Sequence, residues 1–110
     1  MKDFLILFRE PDGRQQIHTP EENQQHQLNW KNWMEQLIRD GSLAGGRPLT
    51  LSGKVIYPNG EVKEDIYKNG IEIVGGYLLI KSGNLEQAVT LMKSCPVFER
   101  GATAEVREIM

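Results

Sequence analysis

Two stretches of the chain are apolar at almost every position. Phe4 to Phe8 reads FLILF between Asp3 and Arg9, and Ile73 to Lys81 reads IVGGYLLIK. A strand with one wet face alternates apolar with polar residues, so short unbroken runs bounded by charges and turns predict strands covered on both faces. Between them the period changes. Trp30, Trp33, Met34, Leu37 and Ile38 recur at helical spacing, with Leu28 off the stripe. Thr19-Pro20-Glu21-Glu22 stands ahead of them: an N-cap, a proline suited to the first helical position, and acids where the helix dipole favours them. Glu22 also completes a capping box. Gly41 can close the far end, so the spacing predicts a helix over about 20–40. A second helix opens at Asn84 with Gln87 three residues on, carries Leu85, Ala88, Val89, Met92 and Cys95, and stops at Pro96. Further strands are expected over Leu43–Leu51, Lys54–Tyr57, Val62–Tyr67 and Thr103–Ile109. Turns are expected at Pro11-Asp12-Gly13, Tyr57-Pro58-Asn59-Gly60 and Asn69-Gly70.

This order, two β-α-β units in succession, is the split arrangement of the ferredoxin-like fold. The expected fold class is therefore α+β: a mainly antiparallel sheet with two helices on one face, and a charged hairpin around Pro58 inserted at an edge. The 110 residues suffice for one domain, expected to span 1–110. Two helices cover one side of the sheet only. Leu5 and Leu7 must then point away from Phe4, Ile6 and Phe8, and Tyr77 and Leu79 away from Leu78 and Ile80. Burying one such side chain is worth roughly 1.5–3 kcal/mol, so leaving several wet would sacrifice much of a stability of about 5–15 kcal/mol. The expectation is a homodimer packed sheet to sheet, a dimeric α/β barrel. The alternative is a monomer whose 52–70 segment folds over the sheet.

Composition narrows the function. Hydrophobic residues make up 39% and charged residues 25%, the balance of a folded domain. Thirteen basic side chains against 15 acidic leave a net charge of -2, which argues against a protein built to grip nucleic acid. No apolar run approaches the roughly 18–20 residues that cross a membrane, and the five-residue run near the start is too short for a signal peptide. A cytoplasmic setting is expected. The single cysteine, Cys95, excludes an internal disulfide framework and a Cys-rich zinc site.

Candidate chemistry gathers on the first helix. Histidine is the side chain whose unperturbed pKa lies near neutrality, and His26 stands one turn before Trp30, on the arc facing the sheet, which makes it the candidate acid–base residue. Trp30, Met34 and Tyr77 are the expected apolar lining of a ligand cleft between helix and sheet. Arg47, after Gly45-Gly46, can grip an anionic group there. His18, Glu22 and His26 could share a helical face only if the helix began before His18, and Pro20 argues that it does not, so no metal is expected. Cys95 sits at a helix C-terminus, where the dipole raises a thiol pKa, and reads as a buried apolar residue. Gly75-Gly76 lacks the third glycine of a dinucleotide fingerprint and precedes a strand, so a bulge or a close strand approach is expected there. No cofactor is expected.

Four motifs then fall in a recognisable order: Gly75-Gly76-Tyr77, Leu85-Glu86-Gln87-Ala88, Cys95-Pro96 and Glu105-Val106-Arg107, with WMEQLIRDGSLAGGRPL upstream. From about Trp30 to the end the chain resembles the YCII-related proteins of the DGPF branch. The resemblance is to a divergent member, since Pro58-Asn59-Gly60-Glu61 stands where Asp-Gly-Pro-Phe would be. It implies a dimeric α/β barrel. Some YCII relatives carry a His on the first helix and an Asp before the proline near the end of the second. Those positions fall near Trp30 and on Cys95, so that pair does not carry over. Two functions follow. The first is a small-molecule-binding domain, with cofactor-free catalysis in the cleft left open. The second is a non-catalytic dimeric interaction or regulatory protein.

Overall fold

A computed structural model describes residues 1–12 and 18–110. The expected turn at Pro11-Asp12-Gly13 therefore lies partly outside the described residues. Strand β1 (Lys2–Pro11) leads to helix α1 (Pro20–Arg39) and strand β2 (Leu43–Pro48). A hairpin of β3 (Val55–Ile56) and β4 (Val62–Lys63) follows, then β5 (Glu72–Ser82), helix α2 (Leu85–Met92), a 3-10 turn (Pro96–Arg100) and β6 (Thr103–Glu108). The main sheet runs β2-β5-β1-β6 with every pair antiparallel. This is the ferredoxin-like α+β arrangement.

The helix starts are local in origin. The Glu22 amide donates to Thr19 Oγ1 at 3.0 Å, and the Gln87 amide donates to Asn84 Oδ1 at 2.8 Å. Each satisfies a donor that the helix itself cannot pair. The core lies between the helices and one face of the sheet. Register sets Phe4 opposite Ile80 and Ile6 opposite Leu78, all buried, and Leu37, Ala88, Met92 and Cys95 close over them.

Four details depart from the sequence pattern. Strand β2 stops at Pro48 instead of Leu51, with the Leu49 amide making a last bond to the Gly75 carbonyl at 2.8 Å. The hairpin strands are only two residues long each. Ile38 is exposed. Helix α2 spans just eight residues and buries Ala88 and Met92, while Leu85 and Val89 remain exposed. Past it the chain forms the 3-10 turn, started by Pro96 and released by Gly101 at φ 75°.

Strand alternation also holds on the other face. Leu5, Leu7, Tyr77 and Leu79 form a half-buried apolar centre. Around it stand Lys81, Arg107 and the Arg9–Glu105 ion pair. The β3–β4 hairpin forms a sheet of its own, with Ile56, Tyr57, Val62 and Tyr67 all exposed.

Candidate functional site

The site is built around an irregularity in the sheet. Phe8 pairs with Gly76, but Arg9 pairs with Val74, so Gly75 is an extra residue on β5. This is the bulge expected at Gly75-Gly76. It changes which β5 residues face the helices: Leu78 and Gly76 before it, buried Ile73 after it. On β1 the alternation continues undisturbed, so Glu10 falls on the same face as Phe8. The glycines make room. A Cβ on Gly75 would stand 1.8 Å from Glu10 Oε1, and one on Gly76 would stand 3.1 Å from the Arg47 carbonyl oxygen.

Above the bulge a cavity of about 530 Å³ opens between sheet, α1 and the 3-10 turn. Phe8 and Glu10 line it from β1; His26, Gln27, Trp30 and Met34 from α1; Gly46, Arg47 and Pro48 from β2. Gly75 to Leu78 line it from β5, and Val97 and Arg100 from the 3-10 turn. All five residues singled out in the sequence thus border one cavity. They are not equivalent within it. Trp30 packs edge-on against Phe8, with ring centroids 5.8 Å apart, and forms the apolar wall with Met34. Arg47 and Tyr77 are register partners on the face that also carries Leu7 and Leu79, and they border the cavity at the β2 edge.

His26 is tied on both sides. Trp30 Nε1–H donates to His26 Nε2 at 3.0 Å, so the neutral ring carries its proton on Nδ1 and donates it to Glu99 Oε1 at 2.7 Å. The other oxygen of Glu99 accepts from Asn29 Nδ2 at 2.8 Å. Hydrogen bonding from His26 holds the Glu99 carboxyl below its ordinary value, with Asn29 helping. Arg100 Nη2 donates to Asn23 Oδ1 at 2.9 Å. These contacts bind α1 to the 3-10 turn and build one wall of the cavity. They also commit the lone pair of His26 to Trp30, so the ring can act as a base towards a ligand only if that indole bond opens.

Sequence reasoning missed Glu10 and Arg100. The Glu10 side chain has no hydrogen-bond or ion-pair partner among the described residues. Burial pushes its carboxyl above the ordinary value of 4.5, against the opposing pull of His26 and Arg100. Its ionisation therefore works against folding. Its favourable contribution is complete below 4.5 and is lost as pH rises through the folded value. The signal that could have found it was parity, since Glu10 lies two residues beyond Phe8 on the inward face, opposite two glycines. Arg100 belongs to a turn that periodicity does not reveal. Cys95 is buried, and desolvation pushes its thiol up to about 11, the state of an inert packing residue. Among the described residues no group of three or more His, Cys, Asp or Glu could hold a metal ion. No helix among them is long and apolar enough to cross a membrane.

The fold and the cleft define a ferredoxin-like α+β protein with a cavity between its first helix and its sheet. One solved structure of this fold is the 5-chloro-2-hydroxyhydroquinone dehydrochlorinase of Burkholderia phenoliruptrix AC1100, in complex with 2,5-dihydroxybenzoquinone. The two share 14% identity at a TM-score of 0.58, over 98% of this chain and 93% of the other, a likeness of fold. No family model and no curated protein matches the chain.

Proposed function

We propose that this protein is a divergent YCII-related, DGPF-type dimeric α/β barrel that binds a small, planar organic molecule in the helix–sheet cavity and needs no cofactor to do so. The cavity carries this reading. Its volume suits a small molecule, its walls are largely aromatic and aliphatic, and a few polar groups converge on it. His26, Trp30, Met34, Arg47 and Tyr77 are the residues proposed to meet the ligand. The solved dehydrochlorinase of this fold is in complex with 2,5-dihydroxybenzoquinone, a small planar molecule, which supports this reading of the ligand class. The buried, protonated thiol of Cys95 suits the cytoplasm, a reducing compartment.

The same reading places a second copy on the open sheet face. The apolar centre of Leu5, Leu7, Tyr77 and Leu79 has a charged rim, the usual anatomy of an interface. The hairpin that could have covered this face instead exposes Ile56, Val62 and Tyr67. Those exposed residues favour the second reading, a non-catalytic interaction role, and a partner on the hairpin would leave the cavity empty of ligand.

Thermal denaturation separates the two. A compound such as 2,5-dihydroxybenzoquinone, added at about a hundred times its Kd, would stabilise the fold by about 2.7 kcal/mol, several degrees in Tm. A panel of planar phenols and quinones that leaves Tm unmoved at millimolar concentration would contradict the ligand-binding reading.

A further inference from the structure

We infer that Glu10 is the group that engages the ligand's reactive end, and that the cavity takes a molecule with a weakly acidic hydroxyl, a phenol or an enol, whose O–H is directed at this carboxylate. The inference rests on the ligand-binding reading of the cavity and specifies its chemistry. Three observations meet at Glu10. Its side chain lines the same cavity as Phe8, Trp30 and Val97. Its carboxylate has no hydrogen-bond partner among the described residues, although its neighbours His26 and Arg100 are both engaged, with Glu99 and Asn23. Its oxygens stay accessible from the cavity, so a ligand donor can complete them. Finally, the backbone is shaped to hold it, because any side chain at Gly75 would occupy the space of its Oε1.

Charge selects the ligand. His26 from α1 and Arg100 from the 3-10 turn act on Glu10, and Arg47 from β2 borders the same cavity. β5 presents no charged group at this point, only Ile73, Gly75 and Gly76. The positive charge that Arg100 sets beside Glu10 disfavours an ammonium ligand. It suits a neutral hydroxyl that becomes more negative as it gives up its proton. In the transfer the ligand O–H bond breaks, a new O–H bond forms on Glu10, and the electron pair stays on the ligand oxygen beside the cationic side of the cavity. The reverse step restores both groups. The raised pKa of Glu10 brings its proton affinity closer to that of such a hydroxyl.

The test titrates 4-nitrophenol, whose neutral and ionised forms differ in colour, into wild-type, Glu10→Gln and Gly75→Ala proteins across pH 4–10. Wild type should bind best between the pKa of Glu10 and that of the probe. Below that window Glu10 is protonated and no longer accepts, and above it two anions oppose each other. Glu10→Gln keeps the shape and should bind about tenfold or more weakly inside the window, the usual scale for a hydrogen bond to a charged group. It should also lose the decline at high pH, because an amide can donate to the phenolate. Gly75→Ala, which displaces the carboxylate without removing it, should weaken binding similarly. Equal affinity and the same pH profile in wild type and Glu10→Gln would overturn the role of Glu10 while leaving the cleft reading intact. Failure of wild type to bind any of a series of substituted phenols would overturn both.

Discussion

Replacing Gly46 with alanine is expected to cost the fold about 2–5 kcal/mol in chemical denaturation, a large share of the stability available to a domain of this size. Gly46 has φ 144°, outside the range that residues with a Cβ adopt comfortably. The space is also taken. An added Cβ would stand 2.5 Å from the Tyr77 carbonyl oxygen and 2.9 Å from Leu78 Cα. Both are backbone atoms of the central strand β5, so neither can turn aside as a flexible side chain can. The strain therefore falls on the β2–β5 pairing, and β2 carries one border of the cavity. Its neighbour supplies the control. A Cβ on Gly45 meets only Leu79 Cδ1, at an ordinary 3.7 Å, so Gly45→Ala should change stability by no more than about 0.5–1 kcal/mol. Equal denaturation midpoints for the two variants would show that β2 does not approach β5 as described.

Leu7→Glu is expected to raise the dissociation constant of the proposed dimer by about a hundredfold or more, giving monomers at micromolar concentration in sedimentation velocity. Leu7 lies at the middle of the open face, paired with Tyr77 on one side and Glu105 on the other. Under two-fold symmetry each dimer would bury two new carboxylates close to an existing acid, with no new cation to meet them. On the single chain the position is only half-buried, so the fold of each subunit should survive and far-UV circular dichroism should be unchanged. A Leu7→Glu protein that sediments as wild type does would remove this face from the interface. A wild type that is already monomeric would remove the interface itself.

How much of this was legible in the sequence depends on the range of the interactions concerned. The capping residues Thr19 and Asn84 could be read because a cap involves only three or four neighbours along the chain. The strand parity of FLILF and of YLLI could be read because alternation is a property of the strand alone. Gly75-Gly76 announced an irregularity, and the register shift lies there. The composition of the site was harder to read, because distant pairings make it. His26 meets Glu99 across 73 residues, and Arg100 meets Asn23 across 77. Both acceptors and donors come together through a 3-10 turn that leaves no periodic trace. Glu10 lies beyond the FLILF run and its flanking Arg9. Only the length of β1, ten residues instead of five, makes it a wall of the cavity. The exposure of Leu85 and Val89 has the same origin, since a two-turn helix covers less of the sheet than an apolar stripe suggests.

The most direct measurement is an amide and indole NMR titration of isotope-labelled wild-type protein with 4-nitrophenol at neutral pH. The account predicts saturable shifts at the amides of Glu10, Gly75 and Gly76 and at the indole N–H of Trp30, with the β3–β4 hairpin unmoved. Shifts confined to the exposed Ile56 to Tyr67 region, or none at saturating probe, would contradict it.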